Sequence, residues 1–294
     1  MKLERAGVIR TPAKVNLHLY VQHRRPDGYH ELELDLIPIS LYDTLEFLPF
    51  EQEGLWFLSE PELCEPQHNL VVRAIKALED EVSARFQMAV KLTKQIPHGA
   101  GLGGGSGNAA GALVALNQLL NLKIPPQRLF EIARSLGADV PFFLDPRPQQ
   151  ARGIGEQFCA LEIQGDWSLL LVKPDLSIST KEAYQLAQHS ARKLPPGPYP
   201  PSLIKQLQPQ GNDFFEPLKA KYPALKQIEL VLQKTGAPAV LLSGSGSCVF
   251  GIYPEAALRD AAFESVDRLF LGELFKAEFL SHHDYAQDLE NQSP

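Results

Sequence analysis

The richest glycine stretch of this chain reads Pro97-His98-Gly99-Ala100-Gly101-Leu102-Gly103-Gly104-Gly105-Ser106-Gly107. A strand is predicted before it, at 88–96, and a helix after it, at 108–121. Such a density of glycine suits a loop that needs unusual dihedral angles and offers an unobstructed row of backbone N–H groups. The N-terminus of the following helix adds further donors and a partial positive charge. The stretch therefore predicts a phosphate-binding loop.

This loop follows neither of the two common nucleotide-binding motifs. The spacing Gly99-x-Gly101-x-x-Gly104 fits the dinucleotide fingerprint, but that motif requires an acidic residue about 20 positions later at a strand end. The next carboxylate here is Glu131, inside a predicted helix. A Walker A loop ends in Gly-Lys-Ser or Gly-Lys-Thr, whereas the run from Gly105 to Asn108 has no lysine. A flexible linker is disfavoured by the framing proline and the Ala/Leu-rich helix, so the pattern indicates a third type of phosphate loop.

Composition limits the class of protein. The 294 residues allow one large or two medium domains with an ample core, and the formal net charge of −7 argues against a nucleic-acid partner. No apolar run approaches the roughly 18 residues of a membrane span, and residues 1–10 have no signal-peptide core. Cys64, Cys159 and Cys248 are too scattered for a metal site and predict buried thiols in a reducing compartment. We therefore expect a cytoplasmic enzyme without a membrane or nucleic-acid partner.

A strand is predicted at 13–21, where apolar and polar residues alternate. Lys14 and Asn16 share its polar face, which either meets solvent or brings both side chains to one site. A turn at 24–30 then leads through Tyr29 and His30 into a second strand. An aromatic ring beside an imidazole can stack on a planar base and hydrogen-bond its edge, but most such pairs only pack.

A carboxylate in an unfavourable position follows the third predicted helix. Helices are predicted at 69–80, 108–121 and 126–136. Asn69 is the expected N-cap of the first, and Gly137 is expected to end the third in a left-handed conformation. Asp139 follows two residues later, between apolar neighbours and at the negative end of the helix dipole. A buried carboxylate there needs a cationic partner, unless it only braces a turn.

A second loop of small residues lies late in the chain. Ser243-Gly244-Ser245-Gly246-Ser247 separates predicted strands at 239–242 and 248–252. Small residues between two apolar strands permit the close approach of a ligand or of another backbone, although a tight turn would need them as well.

In combination these motifs resemble the superfamily of small-molecule kinases named for galactokinase, homoserine kinase, mevalonate kinase and phosphomevalonate kinase. The matching segments are Pro12-Ala13-Lys14-Val15-Asn16-Leu17, the stretch from Pro97 to Ser106, and the loop from Leu242 to Gly246. Within the superfamily the chain closely resembles the family that phosphorylates 4-diphosphocytidyl-2-C-methyl-D-erythritol. That resemblance depends on Asp27-Gly28-Tyr29-His30-Glu31-Leu32, the expanded glycine stretch, Gly137-Ala138-Asp139-Val140-Pro141-Phe142-Phe143 and Gly211-Asn212-Asp213-Phe214-Phe215-Glu216.

The resemblance implies phosphorylation of a tertiary alcohol, the 2-hydroxyl of the methylerythritol unit, with ATP and Mg²⁺. Asp139 matches the catalytic base of the family, and Lys14 matches the cation that keeps this carboxylate ionised and counters charge on the transferring phosphoryl group. A superfamily kinase of mevalonate or homoserine type is the alternative. A nucleotide-binding protein without catalysis is a further one, but it would have no use for this pair.

The resemblance also implies binding residues. For ATP these are Asn69, Lys94, Pro97, His98, Gly99, Ala100, Gly101, Leu102, Gly103, Gly104, Gly105, Ser106 and Gly107. For the acceptor they are Asn16, Tyr29, His30, Thr180 and Tyr184. A cytosine ring is expected between Tyr29 and Tyr184, with His30 on its edge. Related kinases commonly have a second serine where this chain has Gly107, so the Mg²⁺ ligands stay unassigned.

The fold implied is α+β, a two-domain small-molecule kinase fold with the active site in the interdomain cleft. We place the domains at 1–163 and 164–294, because a new apolar strand is predicted from residue 167. The Pro-rich stretch 194–209 is predicted to be a surface loop, and the polar residues from 281 a frayed tail. We expect a monomer or homodimer.

Overall fold

The computed structural model of the chain describes residues 1–187, 189–207, 211–269 and 271–290. Their backbone forms two sheets with helices packed on them, which is the α+β architecture expected. The first sheet contains β1 (Gly7–Val15), β2 (Leu19–Arg24), β3 (His30–Leu48), β4 (Leu55–Glu60), β5 (Met88–Thr93), β6 (Gln149–Gly153) and β7 (Gln157–Ala160). The second contains β8 (Ser168–Lys173), β9 (Ala239–Leu242), β10 (Val249–Tyr253) and β11 (Glu273–Glu278).

The long strand β3 organises the first sheet. Its first half pairs with β2 and β6, and its second half pairs with β1 and β5. These pairings are antiparallel, whereas β4 lies parallel to β5 at one edge. Because β1 and β2 both pair with β3, one continuous strand holds the two N-terminal strands in the sheet.

The strand predicted at 13–21 is two strands in the structure. β1 ends at Val15, β2 begins at Leu19, and the two pair with different parts of β3. At the break, Asn16 Nδ2 donates to the Asp35 carbonyl (2.8 Å), and the Asp35 N–H donates to the His18 carbonyl (3.0 Å). Lys14 and Asn16 are only 3 % and 1 % exposed. The alternative in which the polar face meets solvent is therefore wrong.

Nine helices are found among the described residues. They are α1 (Leu70–Glu81), α2 (Gly104–Leu119), α3 (Pro126–Leu136), α4 (Thr180–Leu186), α5 (Pro201–Ile204), α6 (Phe215–Lys221), α7 (Pro223–Lys234), α8 (Ala256–Asp267) and α9 (Tyr285–Glu290). Short 3₁₀ turns lie at Pro66–His68 and Pro141–Leu144. None of these helices is long and apolar enough to span a membrane.

The helix predictions are correct except at two ends. Asn69 caps α1 as expected, since its side chain accepts from the Val71 N–H. Helix α2 starts at Gly104, inside the glycine stretch, so only the residues before it form a loop. Gly137 follows α3 with φ 171°, which is extended rather than left-handed backbone. The chain turns there through a hydrogen bond from the Val140 N–H to the Gly137 carbonyl.

The two sheets share an apolar cluster. Ala13 and Val15 of β1 belong to it together with Leu169 and Leu171 of β8 and Phe250 of β10. The second sheet is antiparallel, in the order β11-β8-β10-β9. The domain boundary at 163/164 falls between β7 and β8 and stays a prediction.

Two segments predicted at the surface are packed against the protein. Tyr199, in the Pro-rich stretch, is fully buried and its hydroxyl donates to the Asp35 carboxylate (3.0 Å). Tyr285, in the predicted frayed tail, is 2 % exposed. Each segment carries one large aromatic residue among polar or proline residues, and its burial outweighs the local polarity. Residues 208–209 and 291–294 of these segments lie outside the described residues.

The cysteines also differ from expectation. Cys248 is buried, and burial raises the pKa of its thiol to about 12. Cys64 and Cys159 are exposed, so the prediction of buried thiols is wrong for both.

Candidate active site

The loop that precedes α2 alternates between ordinary and left-handed backbone. Gly99, Gly101 and Gly103 have φ of +66°, +76° and +72°. Three consecutive carbonyls are bonded to neighbouring segments: Ala100 accepts from the Cys248 N–H, Gly101 from the Ser243 hydroxyl and Leu102 from the Lys14 N–H. In a planar trans peptide the following N–H points the opposite way. The N–H groups of residues 101–103 are therefore directed away from these partners, which is how backbone binds an anion.

Glycine is required at two of these positions. A Cβ on Gly101 would lie 2.1 Å from the Ser243 carbonyl oxygen, and one on Gly103 would lie 2.8 Å from the Phe143 ring. The late small-residue loop thus packs directly on the phosphate-type loop, as its composition permits. Asn212 fixes the late loop, because its amide donates to the carbonyls of Leu242 and Gly244, both at 2.9 Å.

Lys14 and Asp139, which the sequence places far apart, meet at this loop. Lys14 Nζ lies 4.0 Å from Asp139 Oδ2. The lysine side chain is 4 % exposed and the aspartate side chain 40 %. The expectation of a buried carboxylate is therefore wrong, and the cation is the buried member of the pair. Burial lowers the pKa of the Lys14 ammonium, and the Asp139 charge partly opposes this by raising it. The pair is therefore accessible from the side of the carboxylate.

Asn16 holds the Lys14 ammonium in place. Its Oδ1 accepts from Lys14 Nζ (2.8 Å) and from the Gly244 N–H (3.0 Å), while its Nδ2 donates to Asp35. These bonds tie Asn16 to β3 and to the late loop at once. The structure therefore shows the predicted acceptor-binding residue in an orienting position beside Lys14.

Three adjoining cavities lie at the glycine loop and at the Lys14–Asp139 pair. The loop cavity, about 370 Å³, is lined by Asn69, Lys94 and residues 97–106 among others. The central cavity, about 220 Å³, is lined by Lys14, Asn16, Gly99, Gly101, Gly103, Asp139, Thr180, Tyr184 and Ser245 among others. The wide cavity, about 1000 Å³, is lined by Arg24, Tyr29, His30, Ser106, Asp139, Thr180, Lys181, Tyr184 and His189 among others. Asp139 borders the central and wide cavities, and the glycine loop borders the central and loop cavities. Every predicted site residue except Gly107 therefore lines one of three cavities that share residues.

The aromatic residues of the wide cavity are arranged differently from expectation. His30 stacks on Tyr184, with ring centroids 4.9 Å apart and planes 14° apart, while Tyr29 is 61 % exposed. A planar base between Tyr29 and Tyr184 would therefore have to displace His30. Burial, with the nearby His189 and Arg24, lowers the pKa of His30. A neutral imidazole offers one donor and one acceptor, which suits a base edge.

Sequence reasoning missed Asp43 and Asn108, which support the site through Lys94. Asp43 is fully buried and in close contact with Lys94 Nζ, and it accepts from the Gln95 and Ile96 N–H groups, both at 2.8 Å. Asn108 donates to Asp43 (3.0 Å) and accepts from Lys94 (3.0 Å). A signal existed, because Asp43 interrupts the apolar alternation of Leu41, Leu45 and Phe47 in β3.

Gly107 does not face the loop cavity. A Cβ there would lie 3.1 Å from the Pro12 carbonyl oxygen and 3.4 Å from the Phe143 ring. A side chain at this position would thus point into the protein, away from the loop backbone of residues 99–103.

Comparisons with known proteins agree on the architecture. Residues 69–145 match the GHMP kinases N terminal domain, and residues 201–271 match the GHMP kinases C terminal. A solved homoserine kinase from Cytophaga hutchinsonii, at 15 % identity, superimposes with a TM-score of 0.69 over 96 % of both chains, which shows a shared fold.

Nearer relatives narrow the family. The 4-diphosphocytidyl-2-C-methyl-D-erythritol kinase of Chloroherpeton thalassium is 35 % identical over 88 % of this chain and 93 % of its own length. That of Desulfotalea psychrophila is 40 % identical over 83 % and 85 %. A crystal structure of 4-(cytidine 5'-diphospho)-2C-methyl-D-erythritol kinase, at 33 % identity, superimposes with a TM-score of 0.77 over 92 % of this chain and 98 % of its own. The chain therefore belongs to the 4-diphosphocytidyl-2-C-methyl-D-erythritol kinase family of the GHMP kinases.

Proposed function

We propose that this chain transfers the γ-phosphoryl group of ATP to the 2-hydroxyl of 4-diphosphocytidyl-2-C-methyl-D-erythritol, a step of the non-mevalonate route to isoprenoid precursors. The observation that carries the proposal is the Lys14–Asp139 pair, 4.0 Å apart, where a glycine loop with anion-binding geometry meets the largest of the three cavities.

The glycine loop holds the phosphates of ATP. The N–H groups of residues 101–103 and the N-terminus of the 16-residue helix α2 supply donors and positive potential on the same side. The backbone geometry is fixed by the carbonyl contacts to β1 and to the late loop. Preorganised donors of this kind stabilise charge without reorganisation during the reaction.

Asp139 accepts the proton of the acceptor hydroxyl as the new O–P bond forms. A tertiary alcohol is a poor, crowded nucleophile, so a positioned carboxylate is needed. Asp139 is suited to this because it borders the cavity on the acceptor side and has a cation beside it. Lys14, oriented by Asn16, counters the negative charge on the transferring group.

The wide cavity receives the acceptor. Its stacked His30 and Tyr184 offer aromatic faces for a cytosine ring, and Arg24 and Lys181 on its walls provide positive charge for a diphosphate. Thr180, like Asp139, borders both this cavity and the central one.

Mg²⁺ fits a site made mostly of nucleotide phosphates. Ser106 borders the loop and wide cavities, so its hydroxyl would be a protein ligand beside the phosphates, and Asp139 stays the proton acceptor. Within the described ranges no cluster of three or more His, Cys, Asp or Glu side chains is suited to a metal ion. Mg²⁺ is typically bound by one or two protein oxygens together with nucleotide phosphates and water, and it neutralises phosphate charge when bound.

An acceptor panel tests the proposal. The chain is incubated with ATP, Mg²⁺ and, separately, the cytidylyl methylerythritol, mevalonate and homoserine, and ADP release is measured with the product mass. We expect turnover of the cytidylyl compound alone. Phosphorylation of mevalonate or homoserine in its place would show that the acceptor assignment is wrong.

A further inference from the structure

A C-terminal segment, residues 283–290, lies across the back of the site. We call it the strap. It follows the range that matches the family domain, which ends at residue 271, and it includes α9. Although it comes after the second sheet in the chain, it packs on three elements of the first half: β1, α2 and the 3₁₀ turn Pro141–Leu144. β1 carries Lys14, α2 begins inside the glycine stretch, and the 3₁₀ turn begins two residues after Asp139.

The strap is hydrogen-bonded to β1 at Arg10. The Arg10 N–H donates to Asp288 Oδ2 (2.7 Å), and His283 Nε2 donates to the Arg10 carbonyl (2.7 Å). His283 and Asp288 side chains are only 7 % and 11 % exposed. Both polar groups of one β1 residue are thus bonded to the strap, four positions before Lys14.

The strap is also hydrogen-bonded to the turn that follows Asp139. Tyr285 is 2 % exposed, and its hydroxyl donates to the Phe143 carbonyl (3.0 Å). The ring of Phe143 lies against the backbone of Gly103 and Gly107. A displacement of Phe143 would therefore move both the segment bearing Asp139 and the support of the glycine loop.

Helix α2 is the third element. A Cβ on Gly111 would lie 3.7 Å from the ring of Tyr285, an ordinary van der Waals distance, so the ring packs beside the backbone of this helix. The N-terminus of α2 is the end of the glycine stretch. One tyrosine thus contacts the helix that supports the phosphate loop and the turn next to the base.

We propose that the strap positions Lys14, the glycine loop and Asp139 relative to one another, with Tyr285 as the positioning residue. Phosphoryl transfer is sensitive to small errors in the alignment of its groups, so a loosened support lowers the rate even where binding survives. The inference rests on the proposed function only in assigning Lys14 and Asp139 to phosphoryl transfer.

The test compares Tyr285→Phe with Tyr253→Phe in the full chain. Tyr253 is a matched control, because it is also fully buried and its hydroxyl forms one hydrogen bond, to Thr235 (2.8 Å), away from the site. Both variants lose one buried hydroxyl and should lower Tm similarly. We expect kcat to fall by about 5- to 20-fold in Tyr285→Phe only, with both KM values within about twofold of wild type. Rates are measured with whichever acceptor the wild type phosphorylates, so this test does not depend on the acceptor assignment.

Wild-type kcat in a folded Tyr285→Phe would overturn the proposal, and so would a rise in KM for ATP at unchanged kcat. If Tyr285→Phe does not fold, Asp288→Ala replaces it, since it removes the acceptor of the Arg10 N–H and leaves the tyrosine in place. A fall in kcat at unchanged KM in Asp288→Ala supports the proposal, and wild-type kcat in that variant overturns it.

Discussion

Two lysine–aspartate pairs flank the glycine loop, and they differ in how completely they are satisfied. The Lys94–Asp43 pair lies under the loop in close contact, its carboxylate fully buried and bonded to two backbone N–H groups and to Asn108. The Lys14–Asp139 pair lies 4.0 Å apart, and its carboxylate is 40 % exposed. The first carboxylate is enclosed by donors from the protein, whereas the second remains accessible to a ligand.

The difference separates a structural pair from a reactive one. A buried carboxylate whose oxygens are all bonded holds its neighbours together, here β3, the residues before the loop and the start of α2. A carboxylate beside a cation but open to a cavity keeps the capacity to accept a proton. The assignment of Lys94 to ATP binding stays a prediction, whereas its contacts with Asp43 and Asn108 give it a structural role.

Removing the reactive carboxylate should have the largest effect. In Asp139→Asn we expect kcat to fall by about 10³-fold because the general base is lost. The free energy of unfolding should change by less than about 1 kcal/mol, because Asp139 is partly exposed and 4.0 Å away, and Lys14 keeps its hydrogen bond to Asn16. Steady-state rates and urea unfolding measure the two quantities. Asp80→Asn, at an exposed pair with Arg85, is the control; turnover of Asp139→Asn above a few per cent of wild type would remove Asp139 from its role.

Removing the structural carboxylate should act on stability instead. Asp43→Ala leaves Lys94 buried without its partner, so we expect a loss of about 3–5 kcal/mol in the free energy of unfolding. The double variant Asp43→Leu/Lys94→Met should lose less, because no isolated charge remains. Urea unfolding of both variants decides this, and an unchanged midpoint in Asp43→Ala would contradict the structural role.

At alkaline pH, the fall of kcat/KM with rising pH (the alkaline limb of the profile) should follow the loss of the proton from Lys14. Because burial lowers the pKa of Lys14, and Asp139 opposes this only in part, the ammonium loses its proton at a pH below 10.5. As pH rises through that pKa the charge is lost, so kcat/KM should fall there. Lys14→Arg, which stays charged, should be slower but lack this limb. If kcat/KM of Lys14→Arg still falls at the same alkaline pH, the group that titrates there is not Lys14.

The smallest effect is expected at Gly107. Since a side chain there points at Pro12 and Phe143, Gly107→Ser should cost about 1 kcal/mol of stability through crowding. KM for ATP should stay within about twofold of wild type. Gly107→Ala, which adds the Cβ without the hydroxyl, is the control for added bulk. A several-fold lower KM for ATP in Gly107→Ser would mean that the new hydroxyl reaches the nucleotide.

Local patterns predicted most of the elements. The helix periodicities at 69–80 and 126–136 and the strand at 239–242 lie within one residue of the structure, because spacing along one element depends on that element alone. The start of α2 was missed, since glycine is a poor helix former and the residues that pack closely on Gly104 and Gly107, Ile96 and Phe143, lie outside the helix.

Burial of isolated aromatics was not predictable locally. Tyr199 and Tyr285 lie in stretches whose average polarity suggests exposure, yet each hydroxyl finds an acceptor from a distant strand or turn. A window of sequence does not contain those acceptors. The same limit hid the stack of His30 on Tyr184.

By itself the sequence determined the phosphate-type loop, the order of the motifs and the residue types at the site, because these depend on glycine content, periodicity and resemblance to a kinase superfamily. Tertiary structure alone decided which lysine meets which aspartate, which of the two pairs is closed by donors, and that Asn16 turns inward to orient Lys14. Pairing and burial depend on side chains from segments that only the fold brings together, and the free energy of a charge depends on that surrounding more than on its own neighbours in the chain.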